Sequence, residues 1–378
     1  MKRAFLLLLA ALQIPLLAGR GGVRSNYREL EQLLVIQTMG LDSRVNGVTL
    51  SLAAKGDSRQ GVKRLKADAS SMSAAMERIR GASFEEELFS SHIAHLLIGE
   101  KAAETGLSDL LADLSRSAEL RLDMPLYVVR EDTAERAVME VGDERRGICD
   151  VMDTVEQLAR RHADCGVTSA AQLLDEQARF GAALICALRL SPAAEQEGAT
   201  DKAPALTAEP EGYGVLRDGK LVSYLTREQA VAVSFLKNET AEAEIPLRDS
   251  YGKTAVLELR GGRCRIRPVW SEDGQLTALR IAAETDASIL EQGAVGDEAY
   301  SDRLAARLEE YLAREIESVL RVSRELKADF LGLAAHVERA DPAAFRRLDQ
   351  DFAELLPALE LEITVGARLR HSFDRKEP

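Results

Sequence analysis

The sequence predicts a multi-domain α+β protein with mixed and antiparallel sheets, flanking helices and a long C-terminal helix packed on a sheet. Three observations predict this fold class. Strand-like segments alternate with amphipathic helices up to residue 190, paired strands with tight turns follow from residue 212, and one apolar helical stripe runs over 298–338. The chain has 378 residues, of which 46% are hydrophobic and 29% charged, so two or three domains can form real cores.

The N-terminus has the pattern of an export signal. Lys2 and Arg3 precede an apolar stretch from Ala4 to Ala18. This stretch is shorter than the roughly 20 residues that span a bilayer, and short apolar segments behind an N-terminal positive charge are typical of signal peptides. The sequence therefore predicts a lipoprotein-like signal peptide over 1–19.

Arg20 occupies the position at which a bacterial lipoprotein carries its lipidated cysteine, directly after a Leu-Ala-Gly sequence. Lipid attachment forms a thioether, and a guanidinium group has no sulfur to form it. The expected cysteine is absent, which leaves two alternatives for the N-terminal segment. Another peptidase cleaves the signal, or the segment remains as an uncleaved anchor that is short for a span.

The charge balance limits the partners of the folded part. Acidic residues outnumber basic residues by 62 to 49, which gives a net charge of −13. This excess disfavours nucleic acid, which is bound through clustered Lys and Arg, and it disfavours adhesion of the folded body to an anionic membrane. We therefore expect no nucleic-acid partner and contact with a membrane surface through the N-terminal segment.

The N-terminal domain is predicted to cover residues 21–190. Asn46 and Gly47 favour a hairpin turn between the strands 33–40 and 48–52. A polar loop over 57–66 and a helix over 67–80 are expected to follow. The other predicted elements are the strands 93–98, 126–129 and 182–190 and the helices 107–120, 150–161 and 169–179.

A change of composition separates this domain from the next one. Residues 191–211 are rich in Ala, Glu, Pro and Thr, and no apolar period runs through them. This segment is predicted to be an exposed linker or long loop.

The C-terminal domain is predicted to cover residues 212–374. Asp218 and Gly219 favour a hairpin turn, and Thr226 is expected to cap a helix over 227–236. Three strands are predicted at 255–259, 264–269 and 276–282, with Gly261 and Gly262 in the turn between the first two.

The longest predicted element is a helix over 298–338, with Gly332 as a point where it kinks. Its apolar positions recur every three to five residues and form one stripe, while Glu310, Glu317 and Arg321 lie on a solvated face. A helix from Pro342 to Leu356 and an alternating strand over 359–365, extended to 373, complete the prediction.

The cysteines and histidines do not form a recognisable metal site. Cys149, Cys165, Cys186 and Cys264 lack the short spacing of zinc ligands. Cys186 lies in an apolar run and is interpreted as a buried, reduced core residue, although two disulfides remain an alternative. His92 and His95 are expected to point to opposite faces of a strand, because their separation is odd.

Reactive groups for catalysis are also missing from the pattern. No serine lies in a GxSxG motif, and no glycine-rich phosphate loop follows a strand. Asp150 and Asp153 are interpreted as acidic residues of a first helical turn, and Asp329 and His336 as a structural contact on the long helix. The sequence therefore predicts a protein that is not an enzyme, with no catalytic residue, no cofactor and no metal.

Four stretches in a fixed order resemble one known family. They are 33–52 with Met39 to Asp42, then His92 to Glu100 followed by Ala103, Gly106, Leu107, Arg116 and Arg121, then 214–226, and finally Lys327 to Gly332 with Phe352 to Phe373. Together they resemble the C subunit of spore germination receptors, the Ger(x)C family, over about residues 29–373. The family pattern has a cysteine where Arg20 stands.

This resemblance implies a fold and a role. It implies a three-domain α+β protein that is exported to the outer face of the inner spore membrane. The implied partners are the membrane-embedded A and B subunits of a nutrient germinant receptor, and the implied role is assembly or signal transfer during germination. Two other hypotheses remain, an extracytoplasmic solute-binding module and a cell-wall hydrolase, the latter requiring paired carboxylates or a metal.

Overall fold

The computed structural model describes residues 33–54, 61–83, 87–117, 119–142, 146–163, 165–193, 206–239, 242–291, 298–348 and 351–370. Within them, helices pack against mixed and antiparallel sheets, which confirms the predicted α+β class. The strands are β1 (Leu33–Arg44), β2 (Gly47–Ala54), β3 (Lys63–Ala69), β4 (Glu87–Phe89), β5 (His95–Gly99), β6 (Pro125–Val129), β7 (Thr168–Ser169), β8 (Ala182–Pro192), β9 (Leu206–Arg217), β10 (Lys220–Leu225), β11 (Glu242–Arg248), β12 (Thr254–Trp270), β13 (Leu276–Glu291) and β14 (Glu360–Arg370).

The helices lie between these strands and after them. They are α1 (Met72–Ala82), α2 (Glu100–Thr105), α3 (Ser108–Arg116), α4 (Ala134–Glu140), α5 (Ile148–Arg161), α6 (Ala170–Phe180), α7 (Arg227–Lys237), α8 (Glu298–Glu325), α9 (Leu333–Ala340), α10 (Pro342–Phe345) and α11 (Phe352–Leu355). A 3-10 turn over Leu356–Ala358 leads into β14.

The larger sheet has the strand order β10-β9-β8-β6-β5-β1-β2-β3, with β4 beside β1 and β7 beside β6. Its centre is parallel, because β8, β6, β5 and β1 run in one direction. Antiparallel hairpins form both edges. The central strands β5 and β6 are buried along their whole length, as expected for parallel strands covered on both faces.

The smaller sheet has the order β11-β12-β13-β14, and β14 is parallel to β13. Helix α8 packs on one face of it, and the apolar stripe of α8 is buried there through Leu304, Leu308 and Ile316. One continuous apolar core joins the two sheets, since it contains Tyr127 of β6 as well as Ile281 of β13. The C-terminal half therefore packs directly on the N-terminal half.

Part of the predicted linker is strand. Residues 191–192 end β8, and residues 206–211 begin β9, which pairs with β8 in antiparallel register from Ala182↔Arg217 to Pro192↔Leu206. The prolines of this segment hid the strand pattern in the sequence. Pro210 lies opposite Leu188, next to a register shift in the pairing of β8 and β9, where a strand tolerates proline. Residues 194–205 lie outside the described part of the chain.

The segment 63–69, predicted as the end of a loop and the start of a helix, is the edge strand β3. Leu65, Ala67 and Ala69 pack on the core, while Arg64, Lys66 and Asp68 alternate with them on the other face. Charged side chains on an edge strand make the edge unsuitable for further pairing. The helix begins only after Ser71, whose hydroxyl accepts a hydrogen bond from the Ala74 N–H.

Gly261 and Gly262 do not form the predicted turn, because β12 continues through them to Trp270. The register with β13 shifts between Leu259 and Gly262, which marks a bulge. A Cβ atom on Gly262 would overlap the ring of Phe235 of α7. Gly262 therefore permits close packing of α7 on β12. Strand β11, which precedes β12 in the chain, was not predicted from the sequence.

The long helix predicted over 298–338 ends at Glu325. Lys327 has a φ of 47° and Gly332 a φ of 70°, so the backbone leaves the helical conformation between them. Asp329 then accepts hydrogen bonds from the N–H groups of Leu333 and Ala334, both at 2.8 Å, and starts α9. The helix predicted from Pro342 to Leu356 is likewise divided into α10 and α11.

Candidate functional site

The carboxyl ends of the parallel strands meet at one edge of the larger sheet. Asp42 of β1, Gly99 of β5, Arg130 after β6 and Arg189 of β8 lie along this edge. Ligands and partners of open α/β sheets are usually found at this edge.

Asp42 fixes a helix to this edge. Its carboxylate accepts hydrogen bonds from the N–H groups of Ala134 at 2.9 Å and Glu135 at 2.7 Å, the first residues of α4. Burial raises the pKa of Asp42, against the lowering effect of these two bonds. The positive end of the helix favours the carboxylate, so Asp42 has a structural role.

A group of polar side chains joins the two halves of the chain at the same edge. We call Glu100, Arg130, Arg189, Glu211 and Tyr224 the polar junction. The Tyr224 hydroxyl donates to Glu100 at 2.6 Å, and the Arg130 guanidinium lies 4.7 Å from the centre of the Tyr224 ring. Glu211 lies 2.6 Å from Arg189 and 3.7 Å from Arg130.

The junction is suited to holding elements together. Burial, followed by the neighbouring Glu100 carboxylate, raises the pKa of Tyr224, so the hydroxyl stays protonated and acts as a donor. Each carboxylate of the junction is matched by a donor or an arginine, which leaves no free base beside a nucleophile. The hydrogen bond from Tyr224 to Glu100 therefore links β10 to α2, and the ion pair between Glu211 and Arg189 links β9 to β8.

His92 and His95 lie in different surroundings and do not form a common site. His92 is exposed, whereas His95 is buried and its Nε2 atom lies 3.1 Å from Glu156 Oε2 and 3.8 Å from Asp153 Oδ1, both on α5. Burial lowers the pKa of His95 even though the two carboxylates raise it. Asp153 and Glu156 are three residues apart and therefore share one face of α5, and this spacing can be seen in the sequence.

This contact does not extend to a metal site. Among the described residues, no group of three or more His, Cys, Asp or Glu side chains is arranged to hold a metal ion. Asp150 lies in the first turn of α5, where the sequence placed it. Asp329 caps α9, and burial raises its pKa to about 6.

The four cysteines are buried and their thiols are free. Burial raises the pKa of Cys149 and of Cys186, and it raises the pKa of Cys264 to about 11. A thiol with a raised pKa forms little thiolate, so these residues act as core side chains.

Several clefts border the described structure. A cleft of about 990 Å³ lies beside the turn between β1 and β2 and is lined by Arg44, Asp68 and Arg78. One of about 350 Å³ lies between α1 and α3, with Met39, Met72 and Met76 on its floor and Arg80 and Glu119 at its rim. Another of about 700 Å³ lies where α5, α7, β11 and α8 meet. The lining of the cleft of about 700 Å³ includes His162, Glu228 and Glu244, and that of the cleft of about 350 Å³ includes Glu77, Asp113 and Glu119.

The predicted lipidation position, Arg20, and the signal over 1–19 lie outside the described residues. Of the helices that the structure does describe, none combines the length and the apolar character needed to cross a bilayer.

Comparison with known proteins identifies both halves of the chain. A family model described as "Spore germination protein N-terminal domain" matches residues 26–145, and one described as "Spore germination B3/ GerAC like, C-terminal" matches residues 211–372. Together they cover more than half of the chain. Among curated proteins, the search found no match.

A solved structure shares the fold. It is described as "Crystal Structure of the GerBC protein" and superposes with a TM-score of 0.55 at 18% identity, covering 90% of this chain and 99% of the other. The polar junction connects the two matched segments, because Glu100 and Arg130 lie in the first and Glu211 and Tyr224 in the second.

Proposed function

The chain belongs to the Ger(x)C family of spore germination receptor C subunits, and from this premise we propose that it is a non-catalytic subunit of a nutrient germinant receptor. It assembles with the membrane-embedded A and B subunits and transfers or supports their signal during germination. It is exported and lies at the outer face of the inner spore membrane, which its N-terminal segment contacts.

The observation that carries this proposal is the polar junction between the two family segments. A hydrogen bond of 2.6 Å, a cation–π contact and shared ion pairs tie β10, α2, β6, β8 and β9 together at one edge of the larger sheet. An apolar core runs through both halves. A body whose two halves are held together in this way suits a receptor subunit that acts by contact with other subunits.

The exposed face of α8 supplies a surface for a partner. Glu310, Glu317 and Arg321 are exposed, while Glu309 on the same helix accepts a hydrogen bond from the Ala367 N–H and holds the helix to β14. Charged groups at the rim of an interface set specificity and association rate.

Co-purification from spores tests the assembly. The triple charge reversal E310K/E317K/R321E is expected to reduce recovery of the A and B subunits with this chain and to slow nutrient-triggered germination. The matched reversal E104K/D109K/R116E, on exposed positions of α2 and α3, is the control. Full recovery of both subunits by the α8 variant would rule out this helix face, and absence of both subunits from wild-type preparations would rule out the proposed function.

Fractionation tests the localisation. The mature chain is expected in the membrane fraction of spores, and mass spectrometry of its N-terminus reports both cleavage and lipid. Recovery of the chain in the cytosol would contradict export.

The methionine-floored cleft favours a second candidate, an extracytoplasmic solute-binding module. Its volume of about 350 Å³ and its mixture of apolar floor and charged rim are within the range of small-molecule sites. Calorimetric titration with nutrient amino acids and sugars distinguishes the two candidates. A solute-binding module is expected to give a heat of binding, and the M76W substitution, which fills the cleft, is expected to abolish it.

A further inference from the structure

The open face of the smaller sheet carries a row of arginines. Arg263, Arg265 and Arg267 alternate along β12 with Cys264 and Ile266, which are buried in the core. Because side chains of a strand alternate between faces, the three guanidinium groups project from one face at intervals of about 7 Å. We call these three residues the arginine stripe.

The arginine stripe is not neutralised within the protein. All three side chains are exposed, and none forms an ion pair or a side-chain hydrogen bond with another residue of the described segments. Arg267 lies directly opposite Arg280 of β13, whose own partner is Glu362 at 2.7 Å. Only Arg263 has an acidic residue opposite, Glu284.

This arrangement is unfavourable for the sheet alone. Like charges directly opposite each other on neighbouring strands destabilise the pair, and a chain with 62 acidic residues has many acidic side chains to place there. An anionic binding partner on this face would relieve the repulsion between Arg267 and Arg280 and would neutralise the exposed guanidinium groups.

We propose that the arginine stripe is a docking surface for the anionic phospholipid headgroups of the membrane. The guanidinium group binds phosphate through two parallel N–H donors, which suits a phosphodiester headgroup. Because lipids diffuse laterally in the bilayer, phosphate groups gather beneath the three guanidinium groups, and no fixed spacing of the phosphates is required. This inference rests on the proposed function in one respect, which is that the N-terminal segment brings the folded body to the bilayer.

The net charge of −13 does not oppose this contact. At physiological salt, charges more than about 8 Å from the surface are largely screened, so the local stripe determines the interaction. The total charge disfavours adhesion of the folded body as a whole, whereas the alternation of arginine with buried residues over 263–267 gathers positive charge on one face.

Vesicle partitioning of the full chain tests the proposal. Partitioning on phosphatidylcholine vesicles measures the apolar N-terminal segment, and the increase on vesicles containing phosphatidylglycerol measures the electrostatic contact. Each arginine at an anionic surface raises the partition coefficient about fivefold. The variant R263Q/R265Q/R267Q is therefore expected to partition about 100-fold more weakly than the wild type on vesicles containing phosphatidylglycerol. The variant R339Q/R346Q/R347Q removes the same charge from the exposed surface of α9 and the end of α10 and is expected to retain most of the increase.

Salt dependence provides a second measurement that needs no variant. The increase for the wild-type chain is expected to disappear between about 0.05 M and 0.5 M salt. Equal partitioning on both kinds of vesicle, or an equal loss in the two variants, would overturn the proposal. Binding of polyglutamate without any preference for anionic vesicles would overturn it as well and would identify an acidic protein as the partner. None of these outcomes depends on recovery of the A and B subunits.

Discussion

Asp42 and Gly99 depend on each other at the edge of the larger sheet. A Cβ atom on Gly99 would overlap Oδ1 of Asp42, the oxygen that accepts the Ala134 N–H. The glycine at the end of β5 therefore leaves space for the carboxylate that holds α4. Both residues belong to stretches by which the sequence resembles its family, and the structure gives the physical reason for their pairing.

Substitution of Gly99 by alanine is expected to destabilise the protein by about 2 kcal/mol or more, because the added methyl group displaces the Asp42 carboxylate from the helix N-terminus. Urea unfolding followed by circular dichroism measures the change. Gly81 of α1 is the matched control, since a Cβ atom there meets no other atom within 4 Å. G81A is expected to be neutral or stabilising because alanine favours the helix. A G99A protein as stable as G81A would contradict the proposed role of the glycine.

Removal of the Tyr224 hydroxyl tests the polar junction. Tyr224→Phe keeps the ring under Arg130 but removes the donor to Glu100, and it is expected to cost about 1–2 kcal/mol because the lost bond has a charged acceptor. A double-mutant cycle with E100Q isolates the coupling between the two residues. Additive effects in the cycle would mean that the hydroxyl and the carboxylate do not interact in solution.

The buried carboxyl of Asp329 predicts a dependence of stability on pH. Its pKa in the folded protein is about 6, above the value of about 3.9 in an unfolded chain, because burial disfavours the charge. The contribution of this group is therefore largest below about pH 4 and is lost as the pH rises through 6, by on the order of 3 kcal/mol. The free energy of unfolding of the wild type minus that of D329N is expected to fall over this interval and to stay constant above it. A flat difference would show that the hydrogen bonds from the backbone N–H groups cancel the effect of burial on the pKa of Asp329.

His95 predicts the opposite behaviour on acidification. Burial lowers its pKa below the ordinary value of about 6.5, so the folded protein holds the neutral ring although Asp153 and Glu156 face it. Its contribution to stability is present above pH 6.5 and is lost as the pH falls through the lowered pKa. His95→Gln retains an N–H donor for Glu156 and is expected to remove this loss. NMR titration of the His95 ring gives the pKa directly, and a value above 6.5 would show that the carboxylates prevail.

Local patterns in the sequence were sufficient for most elements. The hairpin turn at Asn46 and Gly47, the Thr226 cap of α7 and the alternating strand β14 were all predicted, because turn residues, caps and alternation act over a few neighbouring positions. The burial of Asp329 was expected from its place beside the apolar stripe. The patterns misjudged β3, the continuity of β12 and the end of α8.

The sequence by itself determined the fold class, the separation of buried from exposed faces on α8, and the family resemblance, since each depends on the order and spacing of residues along the chain. The tertiary structure alone decided that His95 contacts Asp153 and Glu156, that Tyr224 contacts Glu100 across 124 residues, and that Gly262 lies against Phe235. Such contacts depend on strand order and on the position of helices over a sheet, and no local spacing encodes the separation of two residues that are distant in the chain.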